Sequence, residues 1–211
     1  MKVLSLNIAR RREVQWQGRT IATGFFKEPV SGEVLVTKEG LTGDSIVDKR
    51  VHGGIHKAVY AYFQTHYDYW AKETGREDLT PGIFGENLTL DSLDESSING
   101  GDKLQIGGVL LQAVNFRLPC YKLGMRMEDD EFPGVFMESR RFGVYFKVLE
   151  EGMLKAGDQV SIVEKDPAGI SMKQIISAAF DNDITAELVS KALSVESLVP
   201  NLKDRLTHRL G

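Results

Sequence analysis

Only one cysteine, Cys120, occurs among the 211 residues, so no internal disulfide can form, and the usage is that of a protein from a reducing compartment. A basic excess is also missing: 26 Lys and Arg face 30 Asp and Glu, for a net charge of -4. That balance speaks against bulk nucleic-acid binding, which needs a cationic surface to release counterions, although a local basic pocket stays compatible with it. No apolar run reaches the length of a membrane span, and Arg10-Arg11-Arg12 interrupts any leader-like core after the first residues. The expectation is a soluble cytoplasmic protein with neither membrane nor nucleic acid as partner. Internal repeats, low-complexity tracts, a serine elbow and a phosphate-loop signature are absent from the sequence as well. What is present, 42% hydrophobic and 27% charged residues, is ordinary for a globular chain long enough to bury a core.

Up to about Lys165 the chain reads as short apolar runs punctuated by glycine, the pattern of strands and tight turns. Strands are predicted over Val3–Ile8, Gly32–Thr37, Ala58–Phe63, Asn87–Leu90, Lys103–Ile106, Val109–Asn115, Val144–Leu149 and Gln159–Val163. Gly107-Gly108 suits a two-residue hairpin turn. So many strands predict a mainly β fold, a mostly antiparallel barrel over residues 1–165 in which closure removes exposed edges. Two helices interrupt it, Thr65–Thr74 ending at Gly75, and Pro133–Ser139. After Asp166-Pro167-Ala168-Gly169 glycine thins out and apolar residues take helical spacing, so residues 166–211 are predicted to form a small three-helix domain. Ser171 with Gln174 makes a capping box for its first helix, Asp183 caps the second, and Leu202, Leu206 and Leu210 mark the third. A unit that small must pack on the barrel or on a second subunit, and a homodimer is expected.

Three clusters carry chemistry. In Arg117-Leu118-Pro119-Cys120-Tyr121-Lys122, two cations flank the only thiol, the setting that favours a metal-binding or nucleophilic thiolate; a buried cysteine serving as a small hydrophobe is the bland alternative. In Gly43–Lys57, the glycines let a backbone approach a ligand while Arg50, His52 and Lys57 place positive charge around an anion. An ordinary turn with solvated charges would look similar. His52 and His56 stand four apart, but no helix spans Gly53-Gly54, which argues against a two-histidine zinc site. In Gly82-Ile83-Phe84-Gly85-Glu86-Asn87-Leu88, Asn87 and Glu86 offer an amide and a carboxylate to a heterocycle, or simply a turn with a salt bridge. Together the clusters suit an anionic heterocycle more than a hydrolytic triad.

The ordered run of these segments, with Gly101-Asp102 before an apolar hairpin and Gly152 to Gly157-Asp158 near the end, resembles a MOSC domain, and with the helical tail the chain resembles the bacterial YiiM-type members. The resemblance implies a β-barrel with a few helices. It also implies molybdenum cofactor (molybdopterin) as the bound group, with Cys120 as metal ligand and catalytic residue. Arg117 and Lys122 would frame that sulfur. Arg50, His52 and Lys57 would hold a phosphate or a substrate anion, Glu86 and Asn87 would face the pterin, and His52 or Glu86 would supply a proton. The wider superfamily adds pyridoxal phosphate as a ligand class. The implied activity is an oxidoreductase that reduces N-hydroxylated small molecules such as N-hydroxylaminopurines, a detoxification of base analogues. No flavin, haem or iron–sulfur motif is present, so an external redox partner protein would deliver the electrons. The alternative the resemblance leaves open is a non-catalytic carrier of the cofactor or of persulfide sulfur.

Overall fold

The computed structural model describes residues 1–47 and 53–210. Its strands are β1 (Val3–Ile8), β2 (Arg12–Trp16), β3 (Arg19–Thr23), β4 (Glu28–Pro29), β5 (Val34–Thr37), β6 (Gly40–Leu41), β7 (Val59–Phe63), β8 (Leu88–Leu90), β9 (Lys103–Ile106), β10 (Val109–Phe116), β11 (Val144–Glu150), β12 (Gly152–Leu154) and β13 (Val160–Glu164). Its α-helices are α1 (Gln64–Thr74), α2 (Tyr121–Met127), α3 (Phe132–Ser139), α4 (Met172–Phe180), α5 (Ala186–Leu193) and α6 (Pro200–Thr207), and a 3-10 turn covers Ile55–Lys57.

Eight strands form the main sheet in the order β13-β9-β10-β11-β7-β8-β1-β4. All neighbours are antiparallel except β7 and β8, which run parallel with Ala61 opposite Leu88 and Phe63 opposite Leu90. Strand β7, Val-Tyr-Ala-Tyr-Phe, is buried along its whole length, as a strand covered on both faces must be. Its tyrosines tolerate this because their hydroxyls find partners. Tyr60 donates to the Phe142 carbonyl at 2.8 Å, and Tyr62 donates to the Arg141 carbonyl at 3.1 Å while accepting from the Trp70 indole at 2.8 Å.

The expected closed barrel is not formed by continuous ladders. Instead the start of β1 meets the residues just ahead of β13 at one corner, through a bridge between Lys2 and Gln159 and backbone bonds from Val3 N to Asp158 O and from Gly157 N to Val3 O. A three-stranded sheet, β12-β5-β6, and the β2–β3 ribbon stand apart from the main one. Sequence reading missed that ribbon because Arg-Glu-Val-Gln-Trp presents only half-buried and exposed positions, with no apolar face to signal a strand. It also missed α2, a seven-residue helix with Gly124 inside it.

The predicted helices are otherwise where expected, and α1 stops at Gly75 with its φ at 67°. Trp70 on α1 is fully buried and stacks on Phe136 of α3, ring centroids 5.8 Å apart. In the tail, Ser171 and Gln174 form the capping box. The cap of α5 is Thr185 rather than Asp183: its hydroxyl accepts from Leu188 N, and Asp183 lies too early to reach the first turn. Leu202 and Leu206 are buried, whereas Leu210 falls beyond α6 and is exposed. The tail packs on the sheet: Met172 N donates to Ile98 O and Val199 N to Val114 O, and Phe180 meets Phe116 and Phe142 edge-on.

Glu95 ties these layers together. One of its carboxylate oxygens pairs with His66 Nε2 of α1 at 2.6 Å and the other accepts from Gly143 N ahead of β11 at 2.5 Å, while its carbonyl accepts from Lys173 N of α4. Both Glu95 and His66 are buried. Removing one member of a buried pair leaves the other unsatisfied, at a cost of about 3–5 kcal/mol. Glu95→Ala is therefore expected to lower the unfolding free energy by about 3 kcal/mol in urea melts; a loss below about 1 kcal/mol would show that the pair is not holding the layers.

Candidate functional site

The sheet and the loops over it enclose a cleft of about 610 Å³, partly open to solvent. Tyr60 of β7 and Tyr145 of β11 lie at its floor strands, Arg117 follows β10, and Lys122 comes from α2. Phe25 and Lys27 enter from the segment after β3, Asp44 to Val47 from the segment after β6, and Lys57 from the 3-10 turn. Among the described residues the lining thus carries four cations, Lys27, Lys57, Arg117 and Lys122, against one carboxylate, Asp44.

That carboxylate is fully engaged. Its Oδ1 accepts from Ala9 N at 2.7 Å, and its Oδ2 accepts from the Asn87 amide at 2.9 Å and pairs with the Lys27 ammonium. Burial lowers the pKa of Lys27, with Asp44 opposing, and burial lowers that of Lys57 as well. Arg117 is buried, stacks on the rings of Phe25 at 4.7 Å and Tyr60 at 5.0 Å, and donates to the Phe84 carbonyl. Burial works against its charge, yet Tyr60, Tyr145 and Cys120 lift its pKa above the ordinary value.

Of the residues singled out in the sequence, Lys57, Asn87, Arg117 and Lys122 all line this one cleft. Cys120 is half-buried at the start of α2, within electrostatic reach of the cleft residues Arg117 and Tyr145. Arg50 and His52 lie outside the described residues, although Val47 and Lys57 on either side of that stretch both line the cleft. Glu86 is placed elsewhere. It is fully buried, its Oε1 accepts from Tyr67 OH, from Gly82 N at 2.7 Å and from Thr89 OH at 2.8 Å, and it does not contribute to the cleft surface. Sequence reading missed Lys27, Phe25, Tyr60 and Tyr145 as site residues. They have no spacing relation to the motifs, and only folding brings β3, β7 and β11 to the same place.

Among the described residues no group of three His, Cys, Asp or Glu could hold a metal ion. A metal at Cys120 would therefore have to bring most of its ligands with it, which suits a cofactor with its own sulfur donors. The cleft meets another requirement of such a group, since its cations match an anionic substituent.

Fold and site thus define a sheet-rich protein with a cationic cleft beside a single thiol. The family model for the MOSC domain matches residues 48–161, and the chain belongs to that family. Protein YiiM of Escherichia coli (strain K12) is 32% identical over 172 residues, covering 79% of this chain and 76% of that protein. A protein named Reductase from Gibberella moniliformis is 31% identical over 151 residues, 70% of this chain but 27% of that longer protein. The crystal structure of YiiM from Geobacillus stearothermophilus matches with a TM-score of 0.81 and 28% identity, covering 100% of this chain and 99% of that one. Among the described residues no helix is long and apolar enough to cross a membrane.

Glu86 gives a pH test. Burial raises its pKa above the ordinary 4.5, and its Oε2 is one of the buried atoms without a partner among the described residues. The folded state then holds the proton more tightly than the unfolded chain, so ionisation costs stability as pH rises from about 4.5 through the raised pKa. The unfolding free energy of wild type minus that of Glu86→Gln is expected to fall over that window in pH-dependent urea melts. A difference that stays flat with pH would mean that the carboxyl is not held protonated by its surroundings.

Proposed function

We propose that this protein is a molybdenum-cofactor-dependent oxidoreductase that reduces N-hydroxylated compounds, N-hydroxylaminopurines among them, to the parent amine or amide. The observation that carries the reading is the convergence of Lys27, Lys57, Arg117 and Lys122 on one cleft, the last two flanking the only thiol in sequence. Membership in the MOSC family and the likeness to a protein named Reductase support the reading.

When bound, molybdenum cofactor supplies the two electrons that break the N–O bond. Cys120 is the protein's ligand to the metal. Lys57 and Lys122, with Arg50 from the neighbouring stretch, hold the anionic substituent by charge, while Asn87 and the aromatic rings of Phe25 and Tyr60 orient the flat part of the group. Arg117, fixed by its two ring contacts, keeps a positive charge beside the sulfur without having to reorganise. Proton delivery falls to His52, three residues before the 3-10 turn that carries Lys57. Glu86 acts from behind the wall by fixing Gly82 and so the turn that brings Gly85 to the cleft. Residues 1–165 carry this chemistry and the helical unit 166–211 supports it, in a homodimer served by an external redox protein.

The test is elemental analysis of freshly isolated protein together with turnover of 6-N-hydroxylaminopurine by a chemical reductant. Wild type is expected to carry molybdenum and release a fluorescent pterin. Cys120→Ala should lose molybdenum at least ~10-fold and lose turnover, with an unchanged circular dichroism melt. Retained metal and activity in that variant would remove the cysteine from the mechanism. A mass increment of one sulfur on Cys120 with no turnover would make the protein a sulfur carrier instead.

A further inference from the structure

The sequence neighbours of Cys120 line two different spaces. Arg117 and Lys122 line the cationic cleft, but Tyr121, the residue next to the cysteine, lines a different space of about 1090 Å³, partly open to solvent. Successive helical positions point about 100° apart, so residues 121 and 122 at the start of α2 naturally face different sides. The second cavity is walled by Trp16, Gln17, Arg19 and Ile21 of the β2–β3 ribbon and, across from them, by Tyr121 and Asp130.

The ribbon is not needed to complete the main sheet, for β2 and β3 pair only with each other. It turns through Gln17 and Gly18, both at positive φ, 49° and 71°, the geometry of a tight two-residue hairpin. Its tip is then anchored over the α2–α3 connection, where Gln17 Nε2 donates to Asp130 at 2.7 Å across 113 residues of sequence. The result is a fixed frame with one aromatic on each side, Trp16 half-buried on the ribbon and Tyr121 53% exposed on the helix. An exposed tyrosine opposite a tryptophan across an open space offers flat apolar surface that no ring among the described residues covers.

The polar groups of this wall differ in kind from those of the cationic cleft. Asp130 and Gln17 provide acceptor oxygens, and Thr20 and the Arg19 guanidinium complete the rim. Acceptors suit the N–H edges of a nitrogen heterocycle, while aromatic rings and a guanidinium plane suit its faces. We propose that this cavity is the subsite for the heterocyclic part of the substrate: a planar, uncharged nitrogen heterocycle stacks on Trp16 and Tyr121 and directs N–H groups to Asp130 and Gln17. The cationic cleft lined by Arg117 and Lys122 is left to the anionic cofactor. The division of labour rests on the function proposed above; the binding of a flat base to the ribbon cavity does not.

The experiment is calorimetric titration of the full chain with adenine, an unreactive probe, in wild type, Trp16→Ala, Tyr121→Ala, Trp16→Phe and Tyr121→Phe. Each alanine variant is expected to bind about tenfold more weakly or worse, and each phenylalanine variant to recover most of the affinity, which a merely structural role for the ribbon would not require. In loaded protein the alanine variants should raise KM for 6-N-hydroxylaminopurine by a similar factor with kcat little changed, and leave KM for the ringless acetohydroxamic acid unmoved. No adenine binding by wild type, or wild-type affinity in both alanine variants, would overturn the subsite. Adenine binding that depends on Trp16 and Tyr121 in a protein devoid of molybdenum and of turnover would uphold the subsite while removing the reductase reading.

Discussion

The amide of Asn87 is the joint on which the site hangs. Its Oδ1 accepts from Tyr60 N, and its Nδ2 donates both to the Asn7 carbonyl and to Asp44, while its own backbone pairs with Asn7 and Tyr60. One side chain thus links the parallel pair β7–β8, the end of β1 and the loop that carries Asp44. Asp44 in turn holds the buried ammonium of Lys27 and the Ala9 amide. A buried polar network of this kind favours one arrangement strongly, because every displacement leaves a donor or an acceptor unpaired away from water. The position of the cleft follows: the network lies where β1, β7 and β8 meet, and the cations on its open side are what solvent or a ligand sees.

Electrostatics then gives the cleft its preference. Asp44, the one carboxylate of the lining among the described residues, is spent on Lys27 and Asn87, so it does not offset the charges of Arg117 and Lys122. On a chain whose net charge is -4, this is a local reversal of sign, and in a partly enclosed space such a reversal draws anions from solution. The aromatic rings do the complementary work. Phe25 and Tyr60 hold the guanidinium of Arg117 in place without supplying a counter-charge, so its position is fixed while its charge remains directed at whatever enters.

How far this was legible in the sequence depended on the range of the interactions involved. The strands and the first tail helix were readable because alternation, glycine turns and the Ser171–Gln174 box are local signals. Cys120, Arg117, Lys122, Lys57 and Asn87 were readable as candidates because each stands in a segment of unusual composition, and four of the five do line one cleft. Glu86 shows the limit. Next to Asn87 in sequence, it looks equally exposed to a ligand, yet its neighbour faces the cleft while it turns inward to Tyr67, Gly82 and Thr89. Lys27 shows the converse, for nothing in Phe25-Phe26-Lys27 announces a site, and its role comes wholly from meeting Asp44 seventeen positions later. The β2–β3 ribbon was invisible because its stability comes from cross-strand pairing and from Gln17 reaching Asp130, neither of which leaves an apolar pattern.

Two glycines set how closely the walls of the cleft approach, one against backbone and one against an aromatic ring. A methyl group on Gly24 would stand 1.7 Å from the Ser45 carbonyl oxygen, and one on Gly85 would stand 2.9 Å from the Phe25 ring. Both glycines therefore let the walls approach closer than any other residue would permit, and Gly85 also needs its φ of 78°. The approach at Gly24 is to main chain and cannot be relieved by rotating a side chain, so that part of the space is formed before a ligand arrives. Preformed space favours a rigid, flat ligand, which gains affinity by spending none of its binding energy on ordering the protein. The same reasoning makes the cleft intolerant of substitution at its narrowest points, where the cost would fall on shape before it fell on charge.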